Sequence, residues 1–191
     1  MQNIVLNGLC KAYGDNQVLL GFSGTIAAGK TTVIMAPSGR GKTTLLRILM
    51  GLEQPDSGSI TGLQGLRRSA VFQEDRLCEN LSPVSNIRLV CPHTKHADIL
   101  TALEQVGLSS CAAQPVRELS GGMRRRVALL RALLAEYDVL FLDEPFKGLD
   151  AETKEVVMAY TRGQTNGKTV LLVTHEPEEA LAIGADSEII F

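Results

Sequence analysis

The sequence predicts an α/β fold: a mostly parallel sheet whose strands alternate with helices, carrying a helical insertion in its second third. Two observations predict it. The runs Asp138–Leu142 and Thr169–Thr174 are short and almost unbroken in apolar residues, the pattern of strands buried on both faces. Around them lie segments with apolar residues at helical spacing, and strand–helix alternation marks a parallel sheet covered by helices on both sides.

Each element has its own justification. Ile4–Leu6, Gln17–Phe22 and Thr31–Met35 are short apolar or β-branched runs separated by Gly, Asn and Asp, so the opening third reads as β-rich. At Lys42 the period changes. Leu45, Leu46, Leu49 and Leu52 recur at helical spacing within Thr43–Leu52, and Gly51 and Pro55 close that helix. Ser69–Phe72 is expected to be another short strand. From about Leu77 to Ala135 the chain is expected to be mostly helical, with Ala97–Val106 stopping at Gly107 and Met123–Ala135 starting after Ser120-Gly121-Gly122. Strand Asp138–Leu142, helix Ala151–Thr161, strand Thr169–Thr174 and helix Glu178–Ile183 complete the core. The expected division is a core of residues 1–76 and 136–191 with a helical subdomain over 77–135.

Composition excludes several classes. The 191 residues carry 19 Lys and Arg against 21 Asp and Glu, a formal charge of −2, with 45% hydrophobic residues. That is the balance of a globular protein able to bury a core. No apolar run approaches the roughly 18–20 residues that cross a bilayer, and the richest stretch, Val127–Leu134, is broken by Arg131. The opening Met1-Gln2-Asn3-Ile4 lacks the basic and apolar regions of a secretory signal. A near-neutral charge also argues against a general nucleic-acid binder, which needs a basic surface. A cytoplasmic protein is expected. Cys10, Cys78, Cys91 and Cys111 form no CxxC pair and read as reduced thiols. Cys91-Pro92-His93-Thr94-Lys95-His96 gathers a thiol and two imidazoles but lacks a second ligand pair at zinc-finger spacing, so it reads as a surface connection.

Two tetrads compete for phosphate. Gly24–Thr31 (GTIAAGKT) satisfies the pattern G-x-x-x-x-G-K-[ST], whereas Ala36–Thr43 (APSGRGKT) fails its first letter. Physics reverses the ranking. A phosphate loop aims backbone N–H groups from the first turn of a helix, so it must join a strand to a helix. Thr31–Met35 after the first tetrad is β-branched, which makes that tetrad a turn between strands. The segment after Lys42 is a helix. Ala36, Pro37, Ser38, Gly39, Arg40, Gly41, Lys42, Thr43 and Thr44 are therefore the expected loop, with Lys42 reaching the β- and γ-phosphates and the Thr43 hydroxyl binding Mg2+.

The strand 139–142 ends on Asp143-Glu144-Pro145. Neighbouring strand residues point to opposite faces, so the carboxylates take different tasks: Asp143 suits a Mg2+ shell, and Glu144 suits orienting or deprotonating the attacking water. His175 follows the strand Thr169–Thr174 and so falls at the same carboxyl edge, where ligands of open α/β sheets bind. In Leu119-Ser120-Gly121-Gly122-Met123, Ser120 is placed to cap a helix with a glycine-bare first turn, a second anion-binding helix start. Two chains facing each other would use both.

A phosphate loop, LSGGM, VLFLDEP and a His after VLLVT, in that order, resemble the ATP-binding cassette (ABC) ATPases from Tyr13 to His175. The resemblance implies a P-loop NTPase core with a small antiparallel β-subdomain and an inserted α-helical subdomain. It implies that Tyr13 stacks on adenine, that Gln73 touches Mg2+ and the lytic water, and that His175 meets the γ-phosphate. Ser120, Gly121 and Gly122 would contact ATP across a head-to-tail dimer, and Gly148-Leu149-Asp150 would couple the two sites. The chain departs from the family pattern at Ala36, where glycine is usual, and at Met123, where glutamine is commoner. Arg124-Arg125-Arg126 reads as a solvated helix face.

By this resemblance the chain is an ATPase subunit binding ATP and Mg2+. It would pair with a second copy of itself and with membrane permease subunits near Arg76–Val90, peripheral on the inner face of the cell membrane, without nucleic acid. Importers of nitrate, sulfonate or taurine type are most similar. A soluble ABC ATPase acting on DNA or translation complexes is the alternative.

Overall fold

A computed structural model describes residues 2–35 and 39–190. In chain order its elements are β1 (Ile4–Tyr13), β2 (Asn16–Ile26), β3 (Thr31–Met35), α1 (Lys42–Leu49), β4 (Ser57–Thr61) and β5 (Arg68–Val71). Then come α2 (Pro83–Arg88), α3 (His96–Gln105) and α4 (Gly121–Leu134), and finally β6 (Val139–Asp143), α5 (Ala151–Thr165), β7 (Thr169–Thr174), α6 (Pro177–Ile183) and β8 (Ser187–Ile190).

The strands make two sheets. β2-β1-β4 is antiparallel, and β5-β6-β7-β3-β8 is parallel throughout its pairings. Every residue of β6 and β7 is buried. Their alternation feeds two cores. Leu140, Leu142, Val170 and Leu172 pack with the helical segment, while Phe141, Leu171 and Val173 pack with α1, β1 and β2. Each fully buried Leu, Val or Phe contributes about 1.5–3 kcal/mol, so both sheet faces are paid for by the same two short strands. Because the strands run parallel, β3, β5, β6 and β7 all end at one edge, and the described residues that follow them include Gly39, Gln73, Glu144 and His175.

The structure sharpens several boundaries. α1 stops at Leu49 because Gly51 adopts φ 73 and its N–H donates to Ile48 O at 2.9 Å, while Leu52 N–H donates to Arg47 O at 2.9 Å. That paired closure is the glycine-dependent helix stop. β4 and β8 were not expected from sequence. β4 reads SGSIT and holds one apolar residue, as an edge strand can. The segment between β5 and β6 holds α2, α3, α4 and two short 3-10 turns at Ser109–Cys111 and Val116–Glu118. Cys91 and Cys111 are buried in its core. Among the described residues, no group of three or more His, Cys, Asp or Glu side chains is placed to hold a metal ion, and no helix is long and apolar enough to cross a membrane.

Gly24–Thr31 is indeed a turn between strands: it ends β2 and opens β3. Its backbone donors are spent internally, Gly29 N–H on Thr169 Oγ1 at 2.8 Å and Thr31 N–H on Asp186 Oδ2 at 2.9 Å. A cavity of about 650 Å3 lies there, lined in part by Lys30, Arg162 and Lys168. Arg162 stands in the last turn of α5, where a cation offsets the helix's carbonyl end.

Candidate active site

α1 begins on Gly41, which has φ 86 and offers no side chain as a cap, whereas Ser82, Ser120 and Asp150 cap α2, α4 and α5. An uncapped helix start preceded by Gly39 at φ 83 suits an anion. A Cβ on Gly41 would stand 2.7 Å from both Val18 Cγ1 and Val18 O. Only glycine fits this turn. Ala36, Pro37 and Ser38 lie outside the described residues.

Asp143 closes β6 with no exposure and accepts a hydrogen bond from the Thr43 hydroxyl at 3.0 Å. Its other oxygen, Oδ1, is buried and finds no partner among the described residues. Burial raises the Asp143 carboxyl above its ordinary range, and the Thr43 bond only partly offsets this. A buried carboxylate with an unused oxygen beside a hydroxyl is a donor set of the kind Mg2+ takes. The residues present fit the ion.

Glu144 follows with φ 46, a left-handed conformation rare outside glycine, held by its N–H on Val173 O at 2.9 Å. Such a residue costs about 1–3 kcal/mol and persists where surrounding bonds over-determine it. Its side chain is 4% exposed; Oε2 accepts from Lys147 Nζ at 2.8 Å, and Oε1 stands 3.6 Å from His175 Nδ1. Burial opposes ionisation of Glu144, but Lys147, His175 and Lys42 together hold the carboxyl below its ordinary value.

A cavity of about 400 Å3 brings together Gly39, Gly41, Lys42, Thr43, Thr44, Gln73 and Glu144, with Lys147 at its wall. Arg40 is exposed beside it. The other expected residues stand elsewhere. Ser120 Oγ accepts from Met123 N–H at 3.3 Å, and Gly121 has open space where a Cβ would be. Gly122 abuts Gly148 O, 3.5 Å from an added Cβ. Asp150 Oδ1 accepts from Thr153 N–H at 3.0 Å. Tyr13 ends β1 and is 47% exposed, its hydroxyl donating to Glu53 Oε1 and Lys11 Nζ lying 5.6 Å from its ring centroid.

Arg125 corrects the reading of the arginine triplet as a solvated face. It is 4% exposed. Its guanidinium donates to the carbonyls of Phe72 at 2.5 Å, Pro145 at 3.0 Å, Asp143 at 2.8 Å and Glu144 at 2.6 Å, and pairs with Asp75 at 3.3 Å. The signal was present: Arg125 shares a helical face with the buried Ala128, Leu129 and Ala132. Arg126 likewise turns back, donating to Val106 O at 2.6 Å. Lys147, also missed, could have been found from its spacing three residues after Glu144 in a turn closed by Lys147 N–H on Glu144 O at 3.2 Å.

Comparison with known proteins places the chain in a family. The family model "ABC transporter" matches residues 19–147. The chain belongs to the ABC transporter family. It is 42% identical over 192 residues to the aliphatic sulfonates import ATP-binding protein SsuB 1 of Nocardia farcinica, spanning 98% of this chain and 77% of that protein. It is 40% identical over 175 residues to the taurine import ATP-binding protein TauB of Pseudomonas aeruginosa, spanning 84% and 66%. A bacterial Atm1-family ABC exporter with ATP bound shares the fold at TM-score 0.88 and 22% identity, over 100% of this chain and 37% of that one. As an ABC transporter subunit the chain binds and hydrolyses ATP to energise transport.

Proposed function

We propose that this subunit drives import of a small sulfonate, of the aliphatic sulfonate or taurine class, through separate permease subunits in the membrane it lines from the inner face. The observation carrying the transport class is the extent of its likeness to import ATP-binding proteins, 98% of the chain at 42% identity. The soluble alternative acting on DNA or translation complexes is not favoured by these relatives.

In the reaction the α1 start and Lys42 receive the β- and γ-phosphates of ATP, and Lys42 balances charge developing on the transferring group. Thr43, Asp143 and Gln73 would hold Mg2+, which supplies further charge neutralisation when bound. Glu144 accepts the proton of the attacking water, with His175 and Gln73 orienting the γ-phosphate and water. Tyr13 stacks on adenine. A second copy, arranged head-to-tail, brings Ser120, Gly121 and Gly122 to the same nucleotide, and Asp150 lies in the segment joining the two sites. The open space at Gly121 and the glycine-bare start of α4 support that role. Permease docking falls over Arg76–Val90, where Leu89 is 58% exposed.

Glu144→Gln tests the chemistry: ATP binding is kept, turnover is lost, and a nucleotide-bound dimer accumulates on size-exclusion chromatography. Wild-type turnover in that variant overturns the role of Glu144. Disruption of the gene in its host tests the solute: growth on an aliphatic sulfonate or taurine as sole sulfur source should fail while growth on sulfate continues. Equal growth on both overturns the sulfonate assignment.

A further inference from the structure

The carboxylate of Glu144 is engaged by another side chain of its own turn. Lys147 Nζ donates to its Oε2 at 2.8 Å, and the two partners differ in exposure, 65% for the lysine side chain against 4% for the glutamate. The main chain sets this distance, because Lys147 N–H bonds to Glu144 O at 3.2 Å and Glu144 is in the left-handed region at φ 46. Lys147 also forms part of the wall of the cavity that holds Lys42, Thr43 and Gln73, and it directly precedes Gly148-Leu149-Asp150.

We propose that Lys147 is a positioning residue for hydrolysis: bonded to Oε2, its ammonium fixes the orientation of the Glu144 carboxylate and competes with the attacking water for it until that bond is broken. The proposal deepens the role given to Glu144 as base and rests on it. A carboxylate offers its lone pairs to a limited set of donors, and one given to an ammonium is withheld from water. The other charged groups facing Glu144 are His175 at Oε1, Lys42, and Asp143, whose charge acts the opposite way; Arg125 meets only the main-chain oxygen. An exposed ammonium is screened by salt and costs side-chain entropy to hold. It is therefore a restraint that a ligand can break.

The test reads turnover by the full chain at one fixed pH. Lys147→Met, which keeps most of the alkyl stem, and Lys147→Ala should each free Oε2 and raise kcat severalfold with KM unchanged. Lys147→Arg, which keeps the donor, should return kcat to the wild-type value. An unchanged or lowered kcat in Lys147→Met, or an arginine variant raised as far as the methionine one, would overturn the proposal. A raised KM with an unmoved kcat would also overturn it, placing Lys147 on the nucleotide. Should Glu144→Gln keep hydrolysing ATP, the base assignment fails. Should that variant be inactive while wild type and Lys147→Met turn over alike, only the Lys147 proposal fails.

Discussion

Arg125 Nη2 donates to the main-chain oxygen of Glu144 at 2.6 Å. This one bond ties α4, whose first residues are Gly121 and Gly122, to the residue proposed as base. The same guanidinium bonds Phe72 O and Asp143 O, so the segment entering Gln73, the end of β6 and α4 share one buried cation.

Arg125→Ala should therefore leave several buried carbonyls without donors and cost about 2–4 kcal/mol, read as a lowered urea midpoint. Arg125→Lys, a compact charge without the planar fork, should recover part of the stability but not the full turnover. With either variant kcat should fall more than KM rises, because the Glu144 main chain loses the donor that supports its left-handed geometry. Wild-type kcat in Arg125→Lys would contradict this.

Gly41→Ala should abolish ATP binding measured by calorimetry. The added methyl meets Val18 Cγ1 and Val18 O at 2.7 Å, and φ 86 disfavours any L side chain. The left-handed backbone alone costs about 1–2 kcal/mol, and displacement of β2 from the α1 start adds to it. Gly121→Ala, where nothing stands within 4 Å, should leave the stability of the lone chain nearly unchanged.

Asp143→Asn should stabilise the nucleotide-free chain and remove the effect of Mg2+ on ATP binding. Burial holds the Asp143 carboxyl above its ordinary value, so the folded chain binds this proton more tightly than the unfolded one. The sign follows: stability from this group is greatest at low pH and is lost as pH rises from the ordinary Asp range through the raised folded value. The advantage of the Asn variant should thus be small in acid and complete at neutral pH. A gain on the order of 1 kcal/mol would raise the thermal midpoint by about 2–4 °C in a chain of this size. Identical melting curves at neutral pH would refute it.

The motifs were readable because each depends on local chemistry. An apolar run ending in Asp143-Glu144 is a strand delivering carboxylates whatever surrounds it, and Ser120 caps α4 as its position before two glycines implies. The choice between two GKTT tetrads was also local, since strand-like residues follow Lys30 and helical ones follow Lys42. β4 escaped detection because SGSIT takes its stability from pairing with β1, not from its own composition. β8 likewise forms only by joining the edge at β3.

The sequence by itself determined the α/β order, the helix start at Lys42, the carboxylates at the end of β6 and the family, because periodicity and glycine placement act over a few residues. The tertiary structure decided what those residues face. It buried Arg125 among carbonyls contributed by β6 and the segment after β5, left Asp143 Oδ1 without a partner among the described residues, turned Glu144 into the left-handed region and set Lys147 on its carboxylate. Charge–carboxylate distances and burial are sums over elements far apart in the chain. Arg125 is therefore buried while Arg124 and Arg126 on either side are half-buried, and only the packed helix decides the difference.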